Sequence, residues 1–324
     1  MQVDEVIRLL ADGKVHSGEE LGELLGVSRT AVWKQLKKLE ALGLQLSTVK
    51  GQGYQLAARM ELLDKDFVCN AISESARQVI RMLDIHGSIA STNSMALQRA
   101  QQGDGHGYVC VAEHQSAGRG RRGRQWHSPF GRNIYLSVVW EFSGGAAVLE
   151  GLSLAVGVSL LRALGKHQIN DVQLKWPNDV LWQRKKLAGI LLEMTGDAAG
   201  VCQVVVGVGL NVAMPEIEAQ AIDQPWTSVA NITDSFSRNG LLVSMLDELL
   251  PLLANYQQQG FAPYLAEWEA ADSFRNKEVE IRAGENSIIG TVAGVDPSGA
   301  LRLLTDQGEQ LIYGGEASLR QIVA

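Results

Sequence analysis

The chain has 324 residues, of which 46% are hydrophobic and 20% are charged, a composition typical of a soluble globular protein with two or three domains. The formal net charge of −7 excludes a protein that binds nucleic acid over its whole surface, so any DNA contact must be a local basic face. The three cysteines form no metal-binding pattern, the N-terminus is too acidic for a signal peptide, and no uninterrupted apolar run reaches membrane-spanning length. We therefore expect a cytoplasmic protein without a membrane anchor.

Residues 1–60 are predicted to form a winged helix-turn-helix domain. Ser17 and Glu20 have the spacing of a capping box at the start of a second helix, and a short turn that contains Gly26 separates this helix from a third. Residues 44–56 then alternate as two short strands around a glycine-containing turn, which is typical of a β-wing.

The third helix and the wing carry a basic surface, with five basic residues against one acidic residue between positions 28 and 50. Such a face can follow phosphates while the start of the helix reads base edges in the major groove. The candidate DNA contacts are Arg29, Thr30, Trp33, Lys34, Lys37 and Lys50. The alternative is a small helical packing domain with a solvated charged face.

Residues 115–129 are rich in arginine and glycine and lie between two predicted strands, 108–112 and 133–140. Five arginines occur within residues 119–132 with no acidic residue among them, and the interleaved glycines exclude a helix. Glycines let backbone N–H groups close on an anion, arginines donate in pairs to phosphate or carboxylate, and Trp126 offers a flat face to a base. The loop predicts a site for nucleotide phosphates; the alternative is a basic arm that binds nucleic acid.

Three shorter motifs stand at the ends of predicted strands. The S-T-N sequence at 91–93 precedes a helix, where it can cap the helix or bind a polar head group. The K-W-P-N-D sequence at 175–179 turns at its proline and can project a cation, an amide and a carboxylate together, although a plain hairpin turn is equally consistent. Lys186 leads an apolar strand, either as a solvated end or as a charge directed into a site.

The remainder of the chain is predicted to contain a lid and a small β domain. Residues 213–227 are irregular, include Trp226 and are a candidate mobile lid. Two helices follow at 241–258 and 261–270. Residues 278–324 consist of short alternating runs between turns, which fits a small β-barrel.

Taken in order, these segments resemble the bacterial bifunctional biotin–protein ligases that also repress the biotin operon. The resemblance covers essentially the whole chain and rests on S-T-N at 91–93, G-R-G-R-R-G-R-Q-W at 118–126, K-W-P-N-D at 175–179, K-L-A-G-I at 186–190 and G-V-G-L-N at 207–211. Each motif is weak alone, but the ordered set is specific. One departure is Ala90, where the family often has an acidic residue.

The resemblance implies an α+β multidomain fold in three parts. These are a winged helix-turn-helix DNA-binding domain over 1–60, a central mixed-sheet α/β catalytic domain of the biotin/lipoate ligase type over 61–270, and an SH3-like small β-barrel over 271–324. It also implies two half-reactions: biotin attacks the α-phosphate of Mg·ATP to give biotinyl-5′-adenylate, and a lysine of the biotin carboxyl carrier protein of acetyl-CoA carboxylase then takes the biotinyl group.

By the same resemblance, individual residues receive roles. The catalytic residues are Lys186, Arg121, Lys175 and Asp179. The biotin side consists of Ser91, Thr92, Asn93, Gln115, Arg119, Gly120, Arg121 and Lys186. The nucleotide side consists of Arg121, Arg124, Trp126, Lys175, Asn178, Asn211 and Trp226. No metal is expected to be held by protein ligands alone, and Mg²⁺ would arrive with ATP near Asp179.

The implied partners are the carrier protein, the biotin operator DNA and a second copy of the chain. The adenylate would act as corepressor by promoting the homodimer, which reads a palindromic operator. Two alternatives stay open. One is a ligase for lipoate or another acyl acid on the same fold, and the other is an effector-sensing repressor without ligase activity, against which the complete set of cationic residues argues.

Overall fold

The computed structural model describes residues 3–57, 59–197, 199–216, 222–283, 286–314 and 317–321. The N-terminal elements are α1 (Val3–Leu10), α2 (Gly18–Leu25), α3 (Arg29–Ala41), β1 (Leu46–Val49) and β2 (Gly53–Leu56). Ser17 Oγ accepts from the Glu20 amide at 3.0 Å, and the Glu20 carboxylate accepts from the Ser17 amide at 3.3 Å, so the capping box is confirmed. Gly26 ends α2 in the left-handed region at φ 65°, where a side chain would be strained. The antiparallel β1–β2 hairpin confirms the wing.

A seven-stranded sheet forms the centre of the molecule. Its strands are β3 (Met82–Ile89), β4 (Tyr108–Gln115), β5 (Ile134–Ser143), β6 (Val172–Lys175), β7 (Asp179–Trp182), β8 (Lys185–Gly196) and β9 (Val201–Leu210). The order across the sheet is β3-β4-β5-β9-β8-β7-β6. Only β3 and β4 pair in parallel, and the other neighbours are antiparallel, so the predicted mixed sheet is confirmed.

The helices cover the two faces of this sheet unequally. They are α4 (Lys65–Ala71), α5 (Glu74–Val79), α6 (Thr92–Gln101), α7 (Leu152–Gly165), α8 (Arg238–Gln259) and α9 (Leu265–Ala271). Successive residues of a strand point to opposite faces, so Val138 and Val206 join the large core with α7 and α8, while Val139 and Val205 pack beneath α6. Because α6 covers only part of its face, the rest of that face is left for a cleft.

One segment passes a length-and-composition test for a membrane-spanning helix, although Glu150 and Arg162 interrupt its apolar run. Residues 145–165, which end with α7, are long and apolar enough to cross a bilayer by length and composition. Most of the α7 side chains are buried, and the helix packs against α8 and the sheet. A helix that is apolar all round is also what the centre of a large soluble core requires, and α7 occupies that position here.

The C-terminal part is a separate five-stranded antiparallel sheet. Its strands are β10 (Glu278–Ala283), β11 (Asn286–Val295), β12 (Leu301–Thr305), β13 (Gly308–Ile312) and β14 (Ala317–Gln321). The order is β13-β12-β11-β10-β14, which leaves β13 and β14 as its two edges in the described strands. The small β domain is therefore confirmed, whereas its closure into an SH3-like barrel stays a prediction.

The N-terminal helices and the central sheet share a junction. Phe130, which follows the arginine-rich loop, is buried in the core of the helix-turn-helix rather than in that of the sheet. A Cβ on Gly131 would lie 2.7 Å from the sulfur of Met60, and one on Gly87 of β3 would lie 2.2 Å from a carboxylate oxygen of Asp4 on α1. The two units therefore meet closely at two places, at β3 and just after the arginine-rich loop.

Candidate active site

The uncovered part of the α6 face of the sheet is a cleft because its strands carry glycine there. Gly207 pairs with Ser137 on one side, and Gly209 pairs with Gly189 on the other, so these positions leave bare backbone on one face. A Cβ on Gly209 would lie 2.5 Å from the indole of Trp126, and one on Gly207 would lie 2.1 Å from the Asn93 carboxamide. The glycines thus admit side chains from the arginine-rich loop and from α6 onto the sheet surface.

The arginine-rich loop is an ordered turn above this cleft. Arg119 pairs with Gln125 across a short antiparallel bridge, and the Gly120 amide donates to the Arg124 carbonyl at 2.8 Å. A single 3₁₀ turn at its tip contains Arg122 in the left-handed region at φ 58°. The loop joins β4 to β5, so the predicted strand–loop–strand arrangement is confirmed.

The cleft has a volume of about 530 Å³. Most of the predicted site residues line it: Ser91, Thr92, Asn93, Gln115, Arg119, Gly120, Arg121, Arg124, Trp126, Lys175, Asn178, Asp179 and Lys186. Asn211 and Trp226 instead line a neighbouring cavity of about 40 Å³, which shares Trp126 and Lys186 with the cleft. The Trp126 indole therefore stands between the two spaces.

Positive charge dominates the cleft, where seven basic side chains face two acidic ones. Lys186 Nζ lies 2.6 Å from Asp179 Oδ1 in a mostly buried ion pair. Burial lowers the pKa of Lys175, the nearby Asp179 raises it, and the nearby Lys186 lowers it further. Burial also lowers the pKa of the Arg121 guanidinium. Cations held together in this way favour an anionic ligand, because its charge offsets both their desolvation and their mutual repulsion.

Arg121 connects three parts of the cleft. Its guanidinium donates to Asn178 Oδ1 at 3.0 Å and to the Gly314 carbonyl of the C-terminal domain at 2.8 Å. Asn178 in turn donates to the Ile190 carbonyl of β8 at 2.6 Å. The K-W-P-N-D segment is thus both a hairpin turn, with Lys175 opposite Asp179 in the β6–β7 ladder, and a group of side chains that faces the cleft.

The polar residues at the other end of the cleft are buried and bonded to one another. Ser91 caps α6 by accepting from the Ser94 amide at 3.4 Å, as the capping interpretation predicts. The Thr92 amide donates to Gln115 Oε1 at 2.9 Å, and Gln115 Nε2 donates to Ser128 Oγ at 2.9 Å. Donors and acceptors are therefore fixed in position around this part of the cleft.

The segment 222–227 follows the mouth of the cleft as an added strand-like edge. The Lys186 amide donates to the Pro225 carbonyl at 2.9 Å, and the Thr227 amide donates back to the Lys186 carbonyl at 2.9 Å. Asn211 is buried and its side-chain Nδ2 donates to the Thr227 carbonyl at 3.1 Å. Residues 217–221 of the predicted lid lie outside the described residues.

Sequence reasoning missed four contributors to this region. Gly314 and Arg320 come from the C-terminal domain, while Ser137 and Glu193 come from the central strands. Ser137 and Glu193 each interrupt an apolar run within β5 and β8, which marks the two positions as unusual but does not assign them a role. For the C-terminal pair no local signal exists, because their position depends on how two domains meet.

In the described ranges, no group of three or more His, Cys, Asp or Glu side chains could hold a metal ion.

The predicted DNA contacts are all exposed on α3, its N-terminal end and the wing turn: Arg29, Thr30, Trp33, Lys34, Lys37 and Lys50. Trp33 is 51% exposed, and the Lys37 ammonium lies 5.4 Å from its ring centre. An apolar ring that is left outside the core beside lysines is available for a partner surface.

The sequence matches three described families in chain order. Residues 3–55 match an HTH domain, residues 86–211 match the biotin/lipoate A/B protein ligase family, and residues 275–320 match the biotin protein ligase C terminal domain. Among solved structures, the biotin protein ligase from Aquifex aeolicus in complex with biotin and ATP is 30% identical, with a TM-score of 0.65 over 75% of this chain and 100% of that chain.

Curated relatives extend the likeness over the full length. The bifunctional ligase/repressor BirA of Escherichia coli is 40% identical over 98% of this chain and 96% of its own, and that of Bacillus subtilis is 28% identical over 94% and 93%. The likeness thus includes the helix-turn-helix domain as well as the ligase domain. The chain belongs to the bifunctional ligase/repressor family of biotin–protein ligases.

Proposed function

We propose that the protein joins biotin to a carrier protein in two steps. The biotin carboxylate attacks the α-phosphate of ATP, which forms biotinyl-5′-adenylate and releases pyrophosphate. The amine of a lysine on the biotin carboxyl carrier protein of acetyl-CoA carboxylase then attacks the acyl carbonyl, and AMP leaves. No nucleophilic side chain of the enzyme is required, because the adenylate is already an activated mixed anhydride.

The observation that carries this proposal is the excess of cations in the cleft beside a cluster of buried polar groups. The first step brings a carboxylate and a polyphosphate together, and fixed positive charge stabilises the negative charge that develops between them. We assign this role to Arg121, Lys175 and Lys186. The Lys186–Asp179 contact of 2.6 Å orients the lysine ammonium before substrate arrives.

The two ends of the cleft suit the two substrates. We place biotin at the buried hydroxyl and amide groups of α6 and β4 and beside the loop: Ser91, Thr92, Asn93, Gln115, Arg119, Gly120, Arg121 and Lys186. We place the nucleotide toward the turn and the neighbouring cavity: Arg121, Arg124, Trp126, Lys175, Asn178, Asn211 and Trp226. Mg²⁺ would be bound chiefly by ATP, with Asp179 as the nearby carboxylate.

The test is biotin-dependent exchange of pyrophosphate into ATP. Lys186→Ala should lower the exchange rate by roughly 10²- to 10³-fold, as loss of one group that stabilises developing charge does. Lipoate in place of biotin is the matched substrate control. Exchange by the wild-type protein with lipoate but not with biotin would reject the assignment, and operator binding without any exchange would favour an effector-sensing repressor.

We further propose that the protein represses transcription as a homodimer, with biotinyl-5′-adenylate as its corepressor. One winged helix makes few phosphate contacts, and the net charge of −7 opposes DNA, so two modules on a two-fold dimer are needed for tight binding. Sedimentation with and without the adenylate tests this proposal. Equal dimerisation constants together with equal operator affinity would contradict the corepressor mechanism and leave the ligase intact.

The same proposal places domain boundaries after residues 60 and 270 and the protein in the cytoplasm, without a membrane anchor. The three cysteines, Cys69, Cys110 and Cys202, are free, which suits a reducing compartment.

A further inference from the structure

A continuous line of hydrogen bonds runs beneath the cleft, from the arginine-rich loop across the sheet to α6 and back to the loop. Its side chains are Arg119, Glu193, Asn93, Ser137, Thr92, Gln115 and Ser128. Except for Arg119 and Glu193 at one end, these side chains belong to buried residues. The line therefore forms the floor of the region that we assign to biotin.

Glu193 holds the end of this line in two directions. One carboxylate oxygen accepts from Arg119 Nη2 at 2.8 Å, and the other accepts from Asn93 Nδ2 at 2.9 Å. The Glu193 side chain is 18% exposed, so water competes weakly with these contacts. The carboxylate thus joins the loop to the first turn of α6.

The chemistry of Glu193 fixes the direction of the next bonds. A carboxylate only accepts hydrogen bonds, so the NH₂ group of Asn93 must face it and the carboxamide oxygen must face the other way. That oxygen lies 2.6 Å from Ser137 Oγ, which therefore donates its only proton to Asn93. The Thr92 hydroxyl lies 2.8 Å from Ser137 Oγ and cannot accept a proton from it. Thr92 must therefore donate its own proton, either to Ser137 Oγ or to Gln115 Oε1.

The Asn93 side chain rests on the surface of the sheet at Gly207. A Cβ on Gly207 would lie 2.1 Å from Asn93 Oδ1, so the carboxamide lies directly on bare backbone. Asn93 also reaches the Leu191 carbonyl at 3.5 Å through the same nitrogen that contacts Glu193. Both contacts require the same amide orientation, and Glu193 supplies the shorter of the two.

We propose that Glu193 is a positioning residue for biotin. Its carboxylate orients the Asn93 carboxamide and holds Arg119. It thereby determines which groups on the cleft floor donate hydrogen bonds to the polar ring of biotin and which groups accept them. Glu193 itself does not touch the substrate. This inference rests on the proposed ligase function. It assigns part of the protein's affinity for biotin to a residue that does not line the cleft.

The test separates KM from kcat in biotin-dependent ATP–pyrophosphate exchange. Glu193→Gln keeps the shape but places an NH₂ group against either Asn93 or Arg119, so two donors face each other. We expect the biotin KM to rise roughly tenfold to a hundredfold, with the ATP KM and kcat changed by less than about twofold. A biotin KM equal to that of the wild type overturns the proposal, as does a fall in kcat alone.

Two further variants exclude a merely structural effect. Glu267→Gln removes a similar arginine-bonded carboxylate from α9, distant from the cleft, and should leave the biotin KM unchanged. The double variant Asn93→Asp, Glu193→Gln reverses the donor and acceptor across the same contact, and should recover at least part of the biotin affinity lost in Glu193→Gln. Additive losses in the double variant would overturn the orientation mechanism.

Glu193→Asp keeps the negative charge but withdraws it by one methylene, and serves if Glu193→Gln does not fold. Its biotin KM should rise by a smaller factor, and an unchanged value would again overturn the proposal. A wild-type protein that fails to exchange pyrophosphate with biotin rejects the proposed function itself. Normal wild-type exchange with unaffected variants rejects only the role of Glu193.

Discussion

Charged side chains are used in opposite ways in the cleft and at a buried junction inside the ligase domain, where residues 61–63 meet α8 and β4. At the junction, Arg238 is 2% exposed and donates to Glu113 Oε2 at 2.7 Å and to the Asn133 carbonyl at 2.7 Å. Its backbone amide also donates to the Glu61 carboxylate at 2.6 Å. The charges there are paired, whereas in the cleft seven basic side chains face two acidic ones.

This difference distinguishes charges that stabilise the fold from charges that are available to bind a ligand. A buried charge that lacks partners is expensive, so a buried cluster persists where its members neutralise one another and bond the backbone. Glu113 does both, since its second oxygen accepts from the Leu63 amide at 2.5 Å. An unbalanced group of cations weakens the ligand-free fold and is retained where a ligand supplies the missing negative charge. Substitutions should therefore affect stability at the junction and ligand handling in the cleft.

The largest effect is expected at the junction. Arg238→Met leaves the Glu113 carboxylate without its cation and the carbonyls of Glu61 and Asn133 without a donor, and should lower the free energy of unfolding by about 3–5 kcal/mol. Urea denaturation followed by circular dichroism measures this. Arg162→Met, which removes the half-exposed partner of Glu267, is the control and should cost far less. Equal losses of unfolding free energy for both variants would mean that burial does not increase the contribution of the Arg238 ion pair to stability.

The second effect belongs to the cleft. Arg121→Gly removes both the contact to Asn178 and the contact to the Gly314 carbonyl, and should release the adenylate roughly ten to a hundred times faster while stability changes little. Single-turnover release of labelled adenylate, with unselective labelling of added lysines, reports it. Arg122→Gly is the matched control, because Arg122 is exposed and already at φ 58°, where glycine fits. Identical release from wild type and Arg121→Gly would contradict the retention role.

The smallest effect is expected at a buried carboxylate that belongs neither to the junction nor to the cleft. Asp272 Oδ1 accepts from the Phe274 amide, but its buried Oδ2 has no hydrogen-bond partner in the described ranges. Burial raises the pKa of Asp272 to about 6. Because the folded protein holds this proton more tightly than the unfolded chain does, wild-type stability should fall as pH rises from about 4 to about 6.

Asp272→Asn removes the titration and should make the protein about 1–2 kcal/mol more stable at pH 7. The two proteins should converge near pH 4, below the point at which the wild-type group ionises. Thermal denaturation at several pH values measures this. A constant difference between the two proteins across that range would show that Asp272 does not titrate as its environment implies.

Local signals determined how well the sequence predicted the fold. Ser17 and Ser28 cap α2 and α3 through neighbours three residues away, so the helix-turn-helix could be found from spacing alone. The helix predicted to follow S-T-N at 91–93 instead begins within that motif, at Thr92, because Ser91 is its cap. α8 likewise begins at Arg238, where Ser237 caps it, and not at 241.

The site was predicted as far as motifs carry their own chemistry. Arginines, lysines and the K-W-P-N-D turn could be recognised singly, and the structure brings them to one cleft. The role of Glu193 could not be assigned, because it follows from a contact between β8 and Asn93 of α6, 100 residues away in the chain. Gly314 contributes only a backbone carbonyl, which no residue type reveals.

The position of the Phe130 side chain has a consequence for experiments in which the DNA-binding domain is removed from this protein. Phe130 follows the arginine-rich loop in the chain, yet its side chain is 3% exposed and lies in the core of the helix-turn-helix with Met60. Deleting the first 59 residues would uncover an apolar patch immediately after the arginine-rich loop. A truncated ligase domain therefore carries an aggregation hazard, and any loss of activity in it is no measure of the DNA-binding domain as a regulator. Phe130→Ser in the truncated chain is the appropriate reference protein.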